Sequence, residues 1–248
     1  MPDLSTTQWA LVLLAGFGVG VSKSGFVGVG LFHVVVFAFL FGAKASTGVV
    51  LPMLLFGDVC AVAAFRQHAR WDYVRRMSLP TGLGVIAGWA LMHSLNESAY
   101  KPVIGSIILG LATMQSIRMT HPDCFSQVPH ATWFVWSLGL LSGFSTMLAN
   151  AAGPIIALYL VAVSLPKLEL VGTTAWFFLL LNVFKIPFSF GLGLINLNTL
   201  SLNAVLTPMI VLGLFSGRWL IHRIPQRLFD SLVLAFSALA ALRLIGAF

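Results

Sequence analysis

The chain has 248 residues, of which 58% are hydrophobic and only 8% charged, with a mean hydropathy of +0.96. That excludes an ordinary soluble domain, in which charged residues make up about a quarter, and identifies an integral membrane protein. The net charge of +7 comes from basic residues set in loops beside apolar segments, not along one stripe, so it reports membrane topology rather than a nucleic-acid partner.

The N-terminus carries Asp3 and no basic residue before Trp9. It lacks the positive start of a cleaved signal peptide, and the first apolar segment is expected to stay in the mature protein. Apolar segments are predicted at about 8–21, 25–42, 45–65, 77–95 and 101–118, then at 131–148, 150–165, 170–193, 199–217 and 228–247. A full span needs roughly 20 residues, and the first two segments of each half fall short of that. They form either a re-entrant hairpin or two short tilted spans. Both options return the chain to its starting side and leave three crossings per half, and an odd number inverts the second half. The expected fold is all-α, a polytopic membrane protein forming a single membrane domain over 1–248, with two inverted-topology repeats at about 8–118 and 131–247. No extramembrane domain fits between the segments. Of the two cysteines, Cys60 lies in an apolar segment and Cys124 in a loop. Neither a disulfide nor a metal site is expected, and no cofactor.

The halves resemble each other in sequence. Gly16 matches Gly139, Gly20 matches Gly143, Ser22 matches Ser145, Gly30 matches Gly153 and Lys44 matches Lys167, all 123 positions apart. Thr47 with Thr173, Gly84 with Gly213, Gly88 with Gly217 and Lys101 with Arg227 continue the series as the offset drifts to 126–129. The pairs Gly84/Gly88 and Gly213/Gly217 are small-xxx-small faces for close helix packing. The earlier matches fall where both stretches turn polar. Interrupted apolar segments are tolerated in a bilayer only where they are buried in protein or line a cavity, and paired interruptions in two halves point to a transporter's substrate site.

Charge supports the inversion. The loop at 66–76 holds Arg66, His68, Arg70, Arg75 and Arg76 against Asp72, whereas its counterpart at 194–198 is uncharged. After the fourth segment the order reverses: Glu97 and Lys101 in the first half, but Arg218, His222, Arg223 and Arg227 in the second. By the positive-inside rule 66–76 and 218–227 are both cytoplasmic, Arg118 and His121 are inside, and both termini are outside.

Several runs carry a family resemblance: the Gly-rich openings of both halves, Gly57-Asp58-Val59-Cys60-Ala61-Val62-Ala63-Ala64-Phe65-Arg66 followed by Ala69-Arg70-Trp71, and Gly172-Thr173-Thr174-Ala175-Trp176-Phe177-Phe178 running into Asn182 and Lys185. With these the chain resembles the sulfite exporter TauE/SafE family of bacterial inner-membrane proteins. The resemblance implies transport of sulfite, organosulfonates or related sulfur oxyanions. It departs from the family at Ser22-Lys23-Ser24-Gly25, where members commonly have a more glycine-rich run.

The residues themselves suggest how an anion is held. Lys23 stands at the first break, before the second short helix, whose N-terminus could favour an anion, with Ser22 and Ser24 as further donors. Ser145, Thr146 and Asn150 occupy the matching break and add neutral donors. The alternative is that Lys23 snorkels to an interface and the serines satisfy local backbone. Lys185 lies mid-segment, three residues after Asn182 and two before Pro187, which could open the helix there. An intramembrane ionisable residue is a functional candidate that needs a named partner. Asp58 is that candidate, as a coupling residue or in a charge pair with Lys185 or Lys23. His33 is expected to be a hydrogen-bonded helix histidine and Arg66 a topology charge.

An anion transporter explains repeats, breaks and intramembrane lysines together. Its partners are a small anionic substrate and the lipid bilayer, with a homo-oligomer left open. Export is favoured over coupled uptake because the matched breaks contain no carboxylate for a cation. An intramembrane enzyme is the rival, but the chain has neither His-Glu-x-x-His nor Gly-x-Ser-x-Gly, and no catalytic residue is assigned. A structural or assembly protein would leave the interrupted stretches unexplained.

Overall fold

Each of the ten apolar segments is a helix in the computed structural model, which describes residues 4–24, 29–121, 132–163, 165–220 and 226–246. In chain order these are α1 (Thr6–Lys23), α2 (Val29–Phe41), α3 (Ala43–Phe65), α4 (Trp71–Ser94), α5 (Glu97–Thr120), α6 (Thr132–Ala149), α7 (Gly153–Ala162), α8 (Lys167–Gly191), α9 (Leu197–Leu220) and α10 (Gln226–Ile245). A 3-10 turn, Arg66–His68, follows α3. The described chain is 90% helical without strands. Ala43–His68, Glu97–Thr120, Thr132–Ala149, Leu168–Gly191 and Leu197–Trp219 are long and apolar enough to cross a membrane. The protein is an all-α polytopic membrane protein.

Local chemistry sets the helix ends. Ser5 and Gln8 form a reciprocal capping box at the start of α1. Asn96 accepts from the Ala99 amide at 2.9 Å and caps α5, while Asn196 and Thr199 exchange side-chain and backbone bonds of 2.9 and 3.0 Å at α9. Glu97 caps a helix other than its own: its carboxylate accepts from the Ala43 amide at 2.6 Å, placing a negative charge on the N-terminus of α3. The helices run a few residues past the apolar segments, which corrects the expected loop at 66–76. Only 66–70 connects α3 to α4, and the exposed Arg75 and Arg76 ride on the first turns of α4. The second basic stretch is likewise shorter, since Arg218 belongs to α9; residues 221–225, with His222 and Arg223, lie outside the described residues, as does Cys124.

Helices α2 and α7 have 13 and 10 residues, about 20 and 15 Å at 1.5 Å per residue. A hydrocarbon core is about 30 Å thick, so neither crosses it alone. Both are largely apolar; eight of the thirteen residues of α2 are buried and Phe39 is exposed, while in α7 every residue from Pro154 to Leu160 is enclosed.

The packing follows a regular scheme. Helix α1 packs on α9, α4 on α6, α3 on α8, and α5 on α10; α2 also touches α10, and α7 touches α5. If α1–α5 are paired in order with α6–α10, exchanging the halves converts α1 on α9 into α6 on α4, and α2 on α10 into α7 on α5. The other two pairs map onto themselves. Glycine permits the two tightest crossings. A Cβ on Gly20 would collide with the Ile210 carbonyl and one on Gly213 with the Phe17 carbonyl; on the other side Gly84 meets the Leu140 carbonyl and Gly143 the Thr81 carbonyl. The glycines read from sequence as openings of broken stretches are thus packing residues. Helices α1 and α6 run unbroken through them, and the chain leaves helix only at Ser24 and Asn150.

Candidate functional site

Helices α3 and α8 lie antiparallel. Gly172, near the start of α8, is pressed against the Phe65 and His68 backbone, and Gly48, near the start of α3, against Leu194. Their middles therefore meet, and this brings Asp58 to Asn182, whose amide donates to Asp58 Oδ2 at 2.7 Å. Lys23, in the last turn of α1, lays its aliphatic stem over Gly57, where a Cβ would stand 3.0 Å from its Cγ. Its Nζ lies 2.5 Å from Asp58 Oδ1 and 5.2 Å from the centre of the Phe178 ring. One turn beyond Asn182, Lys185 donates to Thr146 Oγ1 at 3.1 Å, to Asn150 Oδ1, and to Asn182 Oδ1 at 3.5 Å. Asn150 is the residue that ends α6. It adopts φ +51°, a left-handed conformation that asparagine tolerates at a helix end, and its amide donates to the Thr47 carbonyl at 2.9 Å.

These bonds form one chain from Lys23 through Asp58, Asn182 and Lys185 to Asn150, joining side chains from both halves. Asp58 and Lys185 are each 1% exposed. With all three groups ionised, two lysines against one carboxylate give the network one net positive charge. Lys185 touches only neutral oxygens, so its charge is solvated by dipoles rather than neutralised. A cavity of about 230 Å³ opens onto the network. That is far above the ~10–15 Å³ needed for one water and leaves room for a small hydrated anion. From Asn182 the cavity follows α8 back to Leu170, about 18 Å of helix, toward the end of the molecule that carries Arg66 and Arg70.

Of the residues singled out from sequence, Ser22, Lys23, Ser24, Thr146, Asn150, Asn182 and Asp58 all line this cavity. Ser145 and Lys185 are buried outside its lining, with Lys185 bonded to three residues of the wall. Lys23 lies in the last turn of α1, and residues 25–28, which join it to α2, lie outside the described residues. Three expectations need correction. Ser22 and Ser24 donate their hydroxyl protons to the Val19 and Val21 carbonyls, both at 2.7 Å, so they face the cavity with lone pairs. Pro187 does not open α8, which runs unbroken from Lys167 to Gly191. The first break does have a carboxylate beside it: Asp58, far away in sequence, arrives from α3. Of the two pairings left open for Asp58, Lys23 makes the ion pair and Lys185 is linked through Asn182.

His33 is buried among the residues that line the cavity, with the Val29 backbone one turn earlier as its hydrogen-bonding neighbour. Three further contributors were not read from the sequence as site residues. Phe178 lies under the Lys23 ammonium, the Thr47 backbone carbonyl holds Asn150, and Tyr100 donates to the Leu148 carbonyl at 2.7 Å, satisfying the end of α6 beside the break. Arg66 is exposed, with its charge outside the cavity lining.

The family model for the sulfite exporter TauE/SafE matches residues 12–244, nearly the whole chain. Comparison with the curated proteins and with the solved structures gives no match. The chain belongs to the TauE/SafE family and is a multi-pass membrane transporter.

Proposed function

We propose that this family member exports small sulfur-containing anions, such as sulfite or organosulfonates, across the inner (cytoplasmic) membrane of a bacterium. The observation that carries the reading is the buried network of two lysines and one carboxylate, with one net positive charge when all are ionised, facing a cavity between the two halves. In a low-dielectric site that charge attracts a monoanion, which neutralises it. Lys23, Asn182, Thr146 and Asn150 are the groups that reach the substrate, Ser22 and Ser24 shape the cavity mouth, and Lys185 and Ser145 act from behind the wall. An arriving anion competes with Asp58 for Lys23 and Asn182, whose donors the carboxylate occupies at rest.

The two halves, about 8–118 and 131–247, act as inverted repeats that rock about this site. The exchange symmetry of their packing supports this. The cavity extends toward the end bearing Arg66 and Arg70, the end that the positive-inside rule assigns to the cytoplasm, so substrate loads from inside. Each unit charge moved is worth roughly 2.3 kcal/mol per 100 mV, so an inside-negative potential drives the anion outward. A second reading is coupled uptake of another small anion, and the contact of Asp58 with Lys23 favours it: a displaced carboxylate is a natural acceptor for a proton or sodium ion.

Transport by the purified chain in proteoliposomes, assayed with sulfite, sulfonates and sulfate, separates the two. Export without coupling requires that a potential negative on the substrate side speeds exit and that the reverse potential slows it. A steep requirement for a proton or sodium gradient, with inward accumulation, would establish uptake with Asp58 as the coupling group. No transport of any of these anions would sink the export reading.

A further inference from the structure

The cavity is chemically uneven along its length. At its polar end Lys23, Asp58 and Asn182 gather, with the Phe178 ring 5.2 Å from the Lys23 ammonium. From there it follows one face of α8, on which Asn182, Phe178, Thr174 and Val171 recur every three or four residues. Phe178, Thr174 and Val171 are only half-buried. Beside them Ala175 packs with Ala61 of α3, and both line the same cavity with methyl groups. Thr174 donates its hydroxyl proton to the Leu170 carbonyl at 2.6 Å, so its donor is spent within the helix. Beyond Asn182 this face of α8 therefore offers a ligand hydrocarbon and no side-chain donor.

A bare oxyanion such as sulfite fills the polar end and leaves the apolar stretch to water, which finds few partners there. A hydrocarbon tail on the same head group displaces that water and buries itself against Phe178, Ala175 and Thr174. Each methylene removed from water in this way strengthens binding by about four-fold when burial is complete. We propose that the site reads the tail of the anion as well as its charge, taking alkanesulfonates with an uncharged apolar tail in preference to sulfite or methanesulfonate. This rests on the anion-transport reading above. The head lies at Lys23 and Asn182, and the tail runs along α8 toward Val171. Thr174 stands about 12 Å along the helix from Asn182, the reach of a head group with an extended tail of about six carbons. It is the residue that sets how long a tail gains from the wall.

The test uses one head group and three tails, methanesulfonate, butane-1-sulfonate and hexane-1-sulfonate, bound at one fixed pH to the purified full chain in detergent. The wild type is expected to bind butane-1-sulfonate about ten-fold or more tighter than methanesulfonate, and hexane-1-sulfonate tighter again. Thr174→Phe places a ring in the stretch and should cut the gain short, so that hexane-1-sulfonate binds no better than butane-1-sulfonate. Equal affinities across the series in the wild type overturn the proposal. A rise with tail length that survives Thr174→Phe unchanged overturns it too, because that rise is partition into detergent. Should Thr174→Phe not fold, Thr174→Leu, which fills less of the stretch, makes the same comparison. Absence of binding by every member of the series and by sulfite would sink the export reading itself, an outcome distinct from equal binding of all of them.

Discussion

Asp58 holds two donors that a substrate anion would need, and it also keeps two lysines from facing each other unscreened. Asp58→Asn leaves a second buried cation uncompensated. Breaking a buried pair in this way costs about 3–5 kcal/mol, so the variant should melt lower in detergent without anion. Sulfite should then restore more melting temperature to the variant than to the wild type, because it refills the vacated place; an equal shift in both would remove Asp58 from the competition. Lys23→Ala should weaken anion binding about ten-fold or more through a lost charge-assisted bond, and Lys185→Ala should weaken it through the lost charge behind the wall, both measured by isothermal titration on folded protein. Normal affinity in both would move the site elsewhere. At this scale the lysines and the asparagine were legible because polar residues in apolar runs are costly and so conspicuous. Their pairing was not, since Lys23 meets Asp58 across 35 positions and Asn182 meets Asp58 across 124.

Helices α1 and α6 repeat one another less through their polar ends than through the glycines beneath them. Gly20 and Gly143 lie against backbone carbonyls of α9 and α4, where even one methyl group has no space. Gly20→Ala and Gly143→Ala should therefore each lower stability by about 1–3 kcal/mol, seen as a fall in melting temperature, because the helices must part or shift. Gly110→Ala, on a face of α5 where an added Cβ meets nothing within 4 Å, should be neutral or mildly stabilising. Equal losses at all three would mean the crossings are not the cause. Periodicity and length made the ten helices legible, with ends displaced by a few residues. What periodicity could not tell is that a glycine pattern beside a break belongs to packing, because small residues serve both purposes.

For the whole molecule, the displaced basic segments predict an orientation. Single cysteines in a background free of Cys60 and Cys124, placed at Gln67 and within 218–227, should be shielded from an impermeant thiol reagent in intact cells, while one at Asn198 should react. Labelling of the two basic segments from opposite sides would end the inverted arrangement. The same orientation requires the cavity to be reached from the side of Arg70. A cysteine at Thr174, which lines it, should then react faster from the cytoplasmic face of inverted vesicles than from outside. The reverse order would reverse the proposed loading side.

The class of the protein, its helices and its family lay in the chain itself, because hydropathy, helix length and charge placement are local properties that a bilayer forces on any sequence crossing it. The site lay there only as separate polar residues. Which of them touch, and that Lys185 stands behind the wall while Lys23 faces the cavity, were decided by tertiary structure. The antiparallel contact of α3 with α8 brings together residues more than a hundred positions apart, and no local pattern records a distance of that kind.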